Sequence, residues 1–541
     1  MSTTPAPLPV EVPVRTQGIL ERLAELRAAD APTHGGHVLS YVYDPGLAVL
    51  DDLAAAAIRA AQPLNGLDPT TFTSVAVMER ELLTFAREVL GGDDDVVGSV
   101  TSGGTESCML AVKIARDEHR ARRAAAGLEP ARARVVLATT AHAAFHKAAA
   151  YLDVDLDLVP VDPDAGVPRA ADLIGRLDDD VALVVVSAPA YPHGCVDPVA
   201  EVAGAARALG VPVHVDACVG GWVLPFWEAA GGGTVPAFDL RVPGVTSLSA
   251  DVHKYGYTPK GTSVLLVRGR DRHRRQYFSV TDWPGYPVVN ATFAGSRSAG
   301  PLAAAWAVTQ ALGVDGYTAL TRRCVDATRV LARAVASIEG LRVVGEPTGP
   351  LLCVAQDPSV EPARRVDPHV WADEVRSLGW LLQGQPGLVQ ADGTRLPHTT
   401  HLTVTPVTAR VVDELSAALV AAADAVRGQE RPAPGAVLAQ VVEAAAPGAT
   451  AEQALAGFAA LDADGAWDLV RGTLLGAGPQ DPGAAPRLPE RMAPLLSLVE
   501  ALPPALSGRL LVEIVARTTE PGRAGEPGPA SAPVDRVADA G

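Results

Sequence analysis

A lysine in a glycine-rich segment is the first feature of this chain that could carry covalent chemistry. The segment SADVHKYGYTPKG, residues 249–261, places His253, Lys254 and Lys260 close together in a chain that is acidic overall. A solvated surface position is the ordinary interpretation of any single lysine. Burial near other cations would instead lower the pKa of Lys254, as a Schiff-base amine requires. The rest of the chain must decide between these interpretations.

A turn that could bind an anion lies earlier in the chain, in SVTSGGTESCML, residues 99–110. The pattern predicts a strand, a Ser-Gly-Gly turn and a helix. Free backbone N–H groups at a helix start attract anions, and glycines let a ligand approach the backbone closely. The segment lacks the lysine of a nucleotide-binding P-loop. A simple helix cap after a strand is the alternative.

Two more polar residues follow predicted strands. His142 lies just past a strand end, where α/β sheets hold their ligands, and its flat ring could stack on a planar cofactor. Asp216 ends the apolar strand of VPVHVDACVGGW, residues 211–222. A buried carboxylate is costly without a cationic partner, such as a protonated ring nitrogen. Capping or packing for His142, and a cap or core salt bridge for Asp216, remain the alternatives.

The order of these four features indicates one cofactor. Pyridoxal 5'-phosphate needs an anion site for its phosphate, a group over its ring, an acid at its pyridine nitrogen and a lysine for its aldehyde. The turn at 99–110, His142, Asp216 and Lys254 supply these in chain order. The sequence therefore predicts a pyridoxal-phosphate site.

The elements that must position these residues alternate along the chain. Continuous Val/Leu runs between helical patterns predict strands covered on both faces, and hence a mostly parallel α/β sheet. The predicted strands of this sheet lie at residues 95–102, 133–140, 181–189, 211–217, 245–251 and 262–268. A helix at about 316–338, three strands near 341–347, 350–356 and 400–406, and a helix at 409–427 predict a smaller α/β domain.

The chain has 541 residues, of which 48% are hydrophobic, so a large core needs no disulfides. The predicted divisions are an N-terminal tail and helix/loop segment, a large cofactor-binding domain, a small α/β domain, a linker with a helical extension, and a disordered tail: residues 1–60, 61–315, 316–427, 428–518 and 519–541. Residues 1–15 form a Pro-rich tail in this prediction.

Composition argues against several classes of protein. The formal net charge of −17 without a basic stripe argues against nucleic-acid binding. The five cysteines show no metal-binding spacing and are expected to be reduced, in a cytoplasmic protein. The N-terminus has no apolar signal region, and no stretch is long enough for a membrane span.

The chain resembles fold-type I pyridoxal-phosphate enzymes, and within the group II decarboxylase-like superfamily it resembles the sphingosine-1-phosphate lyase family. The matching segments run in order from about residue 35 to 410: TSGGTES, AHAAFHKAA, PHGCVDP, HVDACVGGW, DLRVPGVTSLSADVHKYGYTPKG and TDWPGYPVVNATFAGSRSAG. The segment at 239–261 is the most specific. The resemblance implies a large cofactor domain, a smaller C-terminal domain and a helical extension beyond the family's cover.

The resemblance also assigns cofactor contacts. It makes Lys254 the Schiff-base lysine, Asp216 the partner of the pyridinium and His142 the stacking residue. It places four residues at or near the cofactor phosphate: Gly103, Gly104, Thr105 and His253. Ser296 would reach the cofactor phosphate of a neighbouring subunit, which implies a homodimer with composite sites.

For the substrate, the resemblance places Tyr43, Asn65 and Lys260 at a phosphate group and Tyr191 near the reacting carbons. One position departs from the family. The family reads Asn-Pro-Leu-His-Pro where this chain reads NGLDP, so that Asp68 stands where a phosphate-binding histidine is expected. A carboxylate repels a phosphate dianion, which weakens the case for a phosphorylated substrate. A helix cap or Asp-Pro turn is the alternative for Asp68.

The resemblance implies a carbon–carbon lyase that cleaves an amino alcohol, phosphorylated or not, by a retro-aldol reaction to an aldehyde and an amine. Tyr191, Lys254 or a cofactor phosphate oxygen could be the base. Amino-acid decarboxylation is the alternative, with Lys260 or Arg297 at the carboxylate and Asp68 at a cationic substrate group. A non-catalytic cofactor-binding scaffold, with the extension as an interaction module, is the third.

Overall fold

The computed structural model describes residues 18–473 and 489–521. The predicted Pro-rich tail at 1–15 lies outside these residues, as does the predicted C-terminal tail beyond residue 521. Within the two described ranges, none of the helices combines the length and the apolar composition that crossing a membrane requires.

The central sheet has seven strands: Val96–Thr101 (β1), Arg134–Ala138 (β2), Asp155–Val159 (β3), Val181–Ser187 (β4), Val213–Asp216 (β5), Val245–Ala250 (β6) and Ser263–Arg268 (β7). Their order is β1-β7-β6-β5-β4-β2-β3, and β7 alone runs against its neighbours. The mostly parallel sheet and its six predicted strands are thus confirmed. Strand β3 was not predicted, because at the sheet edge its aspartates alternate with apolar residues.

Strand β4 shows why continuous valine runs form the centre of this sheet. All seven of its residues are buried. Side chains alternate between the two faces of a strand, so Val184 and Val186 join one core and Leu183 and Val185 join another. Helices therefore cover both faces, as the pattern predicted.

The helices of this part are Ile19–Arg27 (α1), Ala48–Ala61 (α2), Thr73–Val89 (α3), Gly104–Ala125 (α4), Ala144–Leu152 (α5), Ala170–Ile174 (α6), Val199–Leu209 (α7), Leu224–Trp227 (α8) and Arg270–Arg274 (α9). Strands Phe278–Val280 (β8) and Val288–Asn290 (β9) form a separate hairpin. Helices α4 and α5 pack on one face of the sheet through Met109, Val112 and Phe145. Helix α7 packs on the other face through Val202 and Ala203.

A long helix, Gly300–Ser337 (α10), connects the large domain to the small one. It begins earlier than the predicted helix at 316–338. The predicted helix covers only the segment after Gly313. This glycine interrupts the helix with a φ of 53° and a ψ of −169°, a conformation that glycine tolerates best. The segment before Gly313 packs on α2, through Ala304 and Val308.

The small domain is built on a four-stranded antiparallel sheet in the order β10-β11-β15-β12. The strands and helices of this domain are Leu341–Val343 (β10), Leu351–Gln356 (β11), Pro368–Ser377 (α11), Gln383–Gln385 (β12), Leu388–Val389 (β13), Arg395–Leu396 (β14), Thr399–Thr403 (β15) and Thr408–Val426 (α12). Strands β13 and β14 pair with each other. Strand β12, with the sequence Gln-Gly-Gln, carries no apolar alternation and was not predicted.

The predicted helical extension contains Pro434–Ala445 (α13), Ala451–Ala460 (α14), Ala463–Thr473 (α15), Ala493–Ala501 (α16) and Pro504–Thr519 (α17). These helices share an apolar core that includes Val441, Phe458, Val470 and Leu506. Helix α16 also contacts α11 and β12 of the small domain. The extension is therefore a helical unit that packs on the small domain.

Candidate active site

A cavity of about 370 Å³ lies at the carboxyl ends of strands β4, β5 and β6. This edge is where sheets of this type hold ligands. Eight of the residues predicted from the sequence line the cavity: Gly103, Gly104, Thr105, His142, Tyr191, Asp216, His253 and Lys254. The structure therefore brings the turn, the histidine, the acid and the lysine together.

The glycine turn lies between the end of β1 and the start of α4. Gly104 has no room for a side chain, since an added Cβ would lie 2.7 Å from Oδ2 of Asp251 and 2.8 Å from Sγ of Cys218. The first turn is held by Glu106, whose Oε2 accepts hydrogen bonds from the backbone N–H and hydroxyl of Ser102 at 2.7 and 2.8 Å. The start of a 22-residue helix is thus open to an anionic ligand.

Lys254 is paired with an acid that was not among the predicted site residues. Nζ of Lys254 lies 2.9 Å from Oδ2 of Asp251, and Nε2 of His253 lies 3.6 Å from the same oxygen. Burial raises the pKa of Asp251, but Lys254 and His253 more than offset this and hold the pKa below its ordinary value. Burial lowers the pKa of Lys254, and Asp251 and Tyr43 reverse that effect, so the pKa lies well above its ordinary value.

Asp251 could have been found from the sequence. It directly follows β6, just as Asp216 ends β5, and both acids are buried at the carboxyl ends of largely buried strands. The argument from the cost of a buried carboxylate applied to both. We expected a lowered pKa for Lys254, and the ion pair with Asp251 makes that expectation wrong for the protein without its cofactor.

Asp216 is 6% exposed and lies on the floor of the cavity. Its Oδ1 accepts hydrogen bonds from the backbone N–H of Cys218 at 3.1 Å and from Oγ of Ser249 at 3.5 Å. Among the described residues, no lysine, arginine or histidine forms an ion pair with it. Its negative charge is therefore available to a cationic group of a ligand.

Two thiols lie beside Asp216. Cys108, Cys218 and Asp216 have possible ligand atoms within 4.8 Å of one another, and no other such group was found in the described part of the chain. A hydrogen bond with Cys108 and burial raise the pKa of Cys218 well above its ordinary value. Because a thiol must lose its proton to bind a metal, this environment favours neutral thiols packed under a ligand.

His142 is exposed at the cavity, and its Nδ1 accepts a hydrogen bond from the backbone N–H of Ala144 at 3.1 Å. Tyr191 lies on another side, where its ring stacks on His401 with a centroid distance of 4.2 Å. The Tyr191 hydroxyl donates to Oε1 of Gln383 at 2.6 Å. Burial raises the pKa of Tyr191, so the phenol stays protonated at neutral pH.

Two of the predicted substrate residues, Tyr43 and Lys260, lie near Lys254. Nζ of Lys260 lies 4.7 Å from the ring centroid of Tyr43 and donates to the carbonyl oxygen of His253 at 3.3 Å. Burial and the nearby charge of Lys254 lower the pKa of Lys260 to about 8. Lys260 therefore titrates close to physiological pH.

The other predicted substrate residues, Asn65 and Asp68, do not line this cavity. Nδ2 of Asn65 donates to Oγ of Ser296 at 3.1 Å, and neither residue lines the cavity. Asp68 lines a different and larger cleft of about 920 Å³, together with Arg297 and Tyr286. The larger cleft contains none of the residues predicted to bind the cofactor.

The carboxylate of Asp68 is occupied locally. It accepts hydrogen bonds from the backbone N–H groups and the hydroxyls of Thr70 and Thr71, at 2.6 to 3.2 Å. These bonds lower its pKa to about 2. This is the turn that the sequence analysis held as the alternative for Asp68.

The family model for the pyridoxal-dependent decarboxylase conserved domain matches residues 67–356, which include all of the cavity's predicted residues. The chain belongs to the pyridoxal-dependent decarboxylase family. A second model, for a C-terminal HTH domain of pyridoxal-dependent enzymes, matches residues 449–517. Helices α14 to α17 of the extension thus match a domain model of pyridoxal-dependent enzymes.

Within this decarboxylase family, the chain groups with the sphingosine-1-phosphate lyases. It is 38% identical over 283 residues to the sphingosine-1-phosphate lyase of Dictyostelium discoideum, covering 52% of each chain. The solved sphingosine-1-phosphate lyase of Burkholderia pseudomallei is 32% identical, with a TM-score of 0.70, over 77% of this chain and 92% of that one. The chain spans about 52 to 66% of the length of the curated relatives compared.

A glutamate decarboxylase of Lactobacillus brevis has the same fold. It is 20% identical, with a TM-score of 0.67, over 79% of this chain and 97% of that one. At this identity the likeness concerns the fold alone. The predicted fold, with a large mostly parallel sheet domain, a smaller α/β domain and a helical extension, is confirmed.

Pyridoxal 5'-phosphate is the cofactor of the family, and the cavity fits it. Gly104 is packed too closely for any side chain at the helix start, where a phosphate would bind. Asp216 is a buried acid without a cationic side-chain partner among the described residues, as a protonated ring nitrogen requires. Oδ1 of Asp251 is buried without a hydrogen-bond partner, and the lysine lies beside it.

Proposed function

We propose that the protein is a pyridoxal-phosphate-dependent lyase that cleaves a carbon–carbon bond of an amino alcohol, releasing an aldehyde and an amine. The observation that carries this proposal is the pairing of Lys254 with Asp251 in the cavity that also contains Asp216 and His142. The similarity to sphingosine-1-phosphate lyases favours the retro-aldol reaction over others that use the same cofactor.

When bound, the cofactor supplies an electron sink for the bond that breaks. In this proposal the turn at Gly103, Gly104 and Thr105 holds the phosphate through backbone N–H groups. Asp216 keeps the ring nitrogen protonated, so that the sink is effective. His142 covers one face of the ring, and His253 lies near the phosphate.

Lys254 would be the residue that holds the cofactor covalently, through its side-chain amine. Its Nζ lies 2.9 Å from Oδ2 of Asp251, and this ion pair fixes the position of the amine. Because the pair raises the pKa of Lys254, the amine must transfer its proton before it can attack a carbonyl group.

Tyr191 positions the substrate hydroxyl in this proposal. Its own hydroxyl proton points to Gln383, so the phenol oxygen presents lone pairs to other donors. Its raised pKa keeps it neutral, which makes it a hydrogen-bond acceptor and a weak base. Lys254, whose amine lies at the same cavity, would then be the base that removes the hydroxyl proton.

We propose that the protein acts as a homodimer with composite sites. Within one chain, Asn65 and Ser296 bond to each other away from the cavity that contains Lys254. A second copy could bring its own Ser296 to the cofactor phosphate and its Asn65 to the substrate. We expect no nucleic-acid partner, because the net charge is −17. The cytoplasmic location and the domain boundaries stay predictions.

Lys260 binds the anionic end of the substrate in this proposal, next to Tyr43. Because the carboxylate of Asp68 is satisfied by Thr70 and Thr71, it does not require a cationic group on the substrate. Decarboxylation of an amino acid is the second candidate. It is compatible with the position of Lys260 beside Tyr43, since an ammonium group binds a carboxylate as well as a phosphate.

A product assay tests the proposal. The purified protein with added cofactor is given phosphorylated amino alcohols, hydroxylated amino acids and ordinary amino acids, and aldehyde and carbon dioxide are measured separately. We expect aldehyde from an amino alcohol. Carbon dioxide without aldehyde would establish the second candidate instead. If borohydride does not fix the cofactor to Lys254, as read by mass spectrometry of the peptides, the enzyme proposal fails.

A further inference from the structure

Gln383 links two tyrosines at the edge of the cavity. Its Oε1 accepts the hydrogen bond from Tyr191 at 2.6 Å, and its Nε2 donates to the hydroxyl of Tyr41 at 2.7 Å. An amide has one acceptor and one donor group, so Gln383 uses both ends of its side chain. Tyr191 is thereby held from one side by Gln383 and from its ring face by His401.

The backbone of Gln383 belongs to the short strand β12, which is paired on one side only. Gln383 is the register partner of His401 on β15, so both contacts of Tyr191 come from neighbouring positions of one sheet. A three-residue edge strand is weakly held by its own hydrogen bonds. The position of Gln383 therefore depends on what packs against β12.

The C-terminal helical unit packs there. The side chain of Leu496, on α16, lies so close to Gly384 that a Cβ at Gly384 would be 2.6 Å from its Cδ1. Gly384 is the residue next to Gln383 in β12. The edge of the strand is thus covered by a helix, which limits its movement.

Both ends of α16 are fixed to the small domain. Asp373 accepts hydrogen bonds from the backbone N–H groups of Met492 and Ala493 at 2.7 and 3.0 Å, where the helix begins. Near the other end, Glu500 accepts the backbone N–H of Gly387 at 2.8 Å, two residues beyond β12.

Glu500 is itself buried in a set of charge-assisted bonds. Its side chain is 2% exposed and is paired with Arg431 at 2.6 and 2.9 Å and with Arg395 at 2.7 Å. Hydrogen bonds to ionised groups are stronger than neutral ones. The chain following β12 is therefore tied to α16 by a buried carboxylate.

We propose that Gln383 is a positioning residue for Tyr191, and that the C-terminal helical unit acts on the active site by holding β12, and with it Gln383, in place. The inference rests on the proposed function, since it assigns Tyr191 a part in the reaction. It gives the helical unit a role as a brace of the active site.

The test compares two substitutions of the same residue. Gln383→Met keeps the length of the side chain and removes both hydrogen bonds, whereas Gln383→Glu retains an acceptor for Tyr191. We expect kcat to fall about three- to tenfold in Gln383→Met with little change in KM, and Gln383→Glu to recover most of kcat. The cofactor absorption band is expected to be unchanged in both.

A measurement without substrate makes the test independent of the reaction. 3-Fluorotyrosine is placed at residue 191 of the full-length chain, and its fluorine resonance is recorded. We expect a single sharp resonance in the parent and in Gln383→Glu, and a shifted or broadened one in Gln383→Met. An unchanged resonance in Gln383→Met would overturn the assignment of Gln383, whatever the substrate proves to be.

The role of the helical unit as a brace is tested by a substitution in α16. Leu496→Ala removes the contact with Gly384 and is expected to shift the resonance in the direction of Gln383→Met. Leu511→Ala, in α17, is the matched control, because Leu511 is 40% exposed, and it should leave the resonance as in the parent. Circular dichroism verifies that each variant is folded. A folded Leu496→Ala with the parent's resonance would refute the brace while leaving the lyase proposal unaffected.

Discussion

The floor and the surroundings of the candidate active site use carboxylates in opposite ways. On the floor, Asp216 and Asp251 are 6% and 2% exposed and lie at the ends of adjacent strands. Asp68, outside the cavity, is an exposed acid whose four hydrogen bonds come from two threonines within three residues of it. Asp216 and Asp251 are buried and require a cation or a ligand to compensate their burial, whereas Asp68 is exposed and is satisfied by its own turn.

This difference separates a chemical role from a structural one. A buried carboxylate destabilises the fold unless a cation or hydrogen-bond donors compensate it, so a chain keeps one where it has a partner or a function. An exposed carboxylate in a turn needs no further partner. Substitutions on the floor should therefore have large effects, and those at Asp68 should have small ones.

Lys254→Ala should produce the largest effect. It removes the covalent attachment of the cofactor and leaves Asp251 buried without its cation. We expect turnover to fall by about 10³-fold or more, and the free energy of unfolding of the cofactor-free protein to fall by about 3 kcal/mol. Urea denaturation and product assays measure these changes. Lys147→Ala, at an exposed lysine near Tyr151, is the control and should behave as the parent.

Asp216→Asn should produce the next largest effect. The amide keeps the shape of the side chain but cannot hold a proton on the ring nitrogen of the cofactor by its charge. We expect kcat to fall by about 10²- to 10³-fold while the cofactor remains attached to Lys254. Absorption spectroscopy and steady-state kinetics test this. A variant with parental kcat would show that Asp216 serves the fold alone.

Lys260 lies outside the floor, and its titration should have a moderate effect on KM. Since the pKa of Lys260 is about 8, its charge is present below that pH and is lost as the pH rises through it. For an anionic substrate we therefore expect KM to rise about tenfold between pH 7 and pH 9. Lys260→Arg, which stays charged, should flatten this profile. The same steep rise in Lys260→Arg would assign it to another group.

Asp68→Asn should produce the smallest effect. An asparagine oxygen can accept the hydrogen bonds from Thr70 and Thr71, and the exposed site has no buried charge to compensate. We expect kcat and KM for the same amino alcohol to change by less than about threefold. Asp68→His restores the family's residue. If it alone lowers KM for a phosphorylated substrate by tenfold or more, Asp68 faces the substrate in the assembled protein.

Most of the sheet could be predicted because its strands are continuous valine and leucine runs, which have few other stable arrangements than burial between helices. The same reasoning found Asp216, since an acid that ends such a run is conspicuous. Asp251 was less conspicuous, because β6 includes Thr246, Ser247 and Ser249 and is not a continuous apolar run. Strand β12 could not be predicted, since Gln-Gly-Gln has neither apolar alternation nor β-branched residues.

The sequence by itself determined the cofactor chemistry, because the glycine turn, His142, Asp216 and Lys254 occur in this order and each follows or ends a predicted strand. Only the tertiary structure decided which distant residues hold the side chains around the cavity. The hydrogen bond from Tyr191 to Gln383 is the clearest case. Tyr191 and Gln383 are 192 positions apart along the chain. Such contacts are set by how two domains and a helical unit pack, which local residue patterns do not encode.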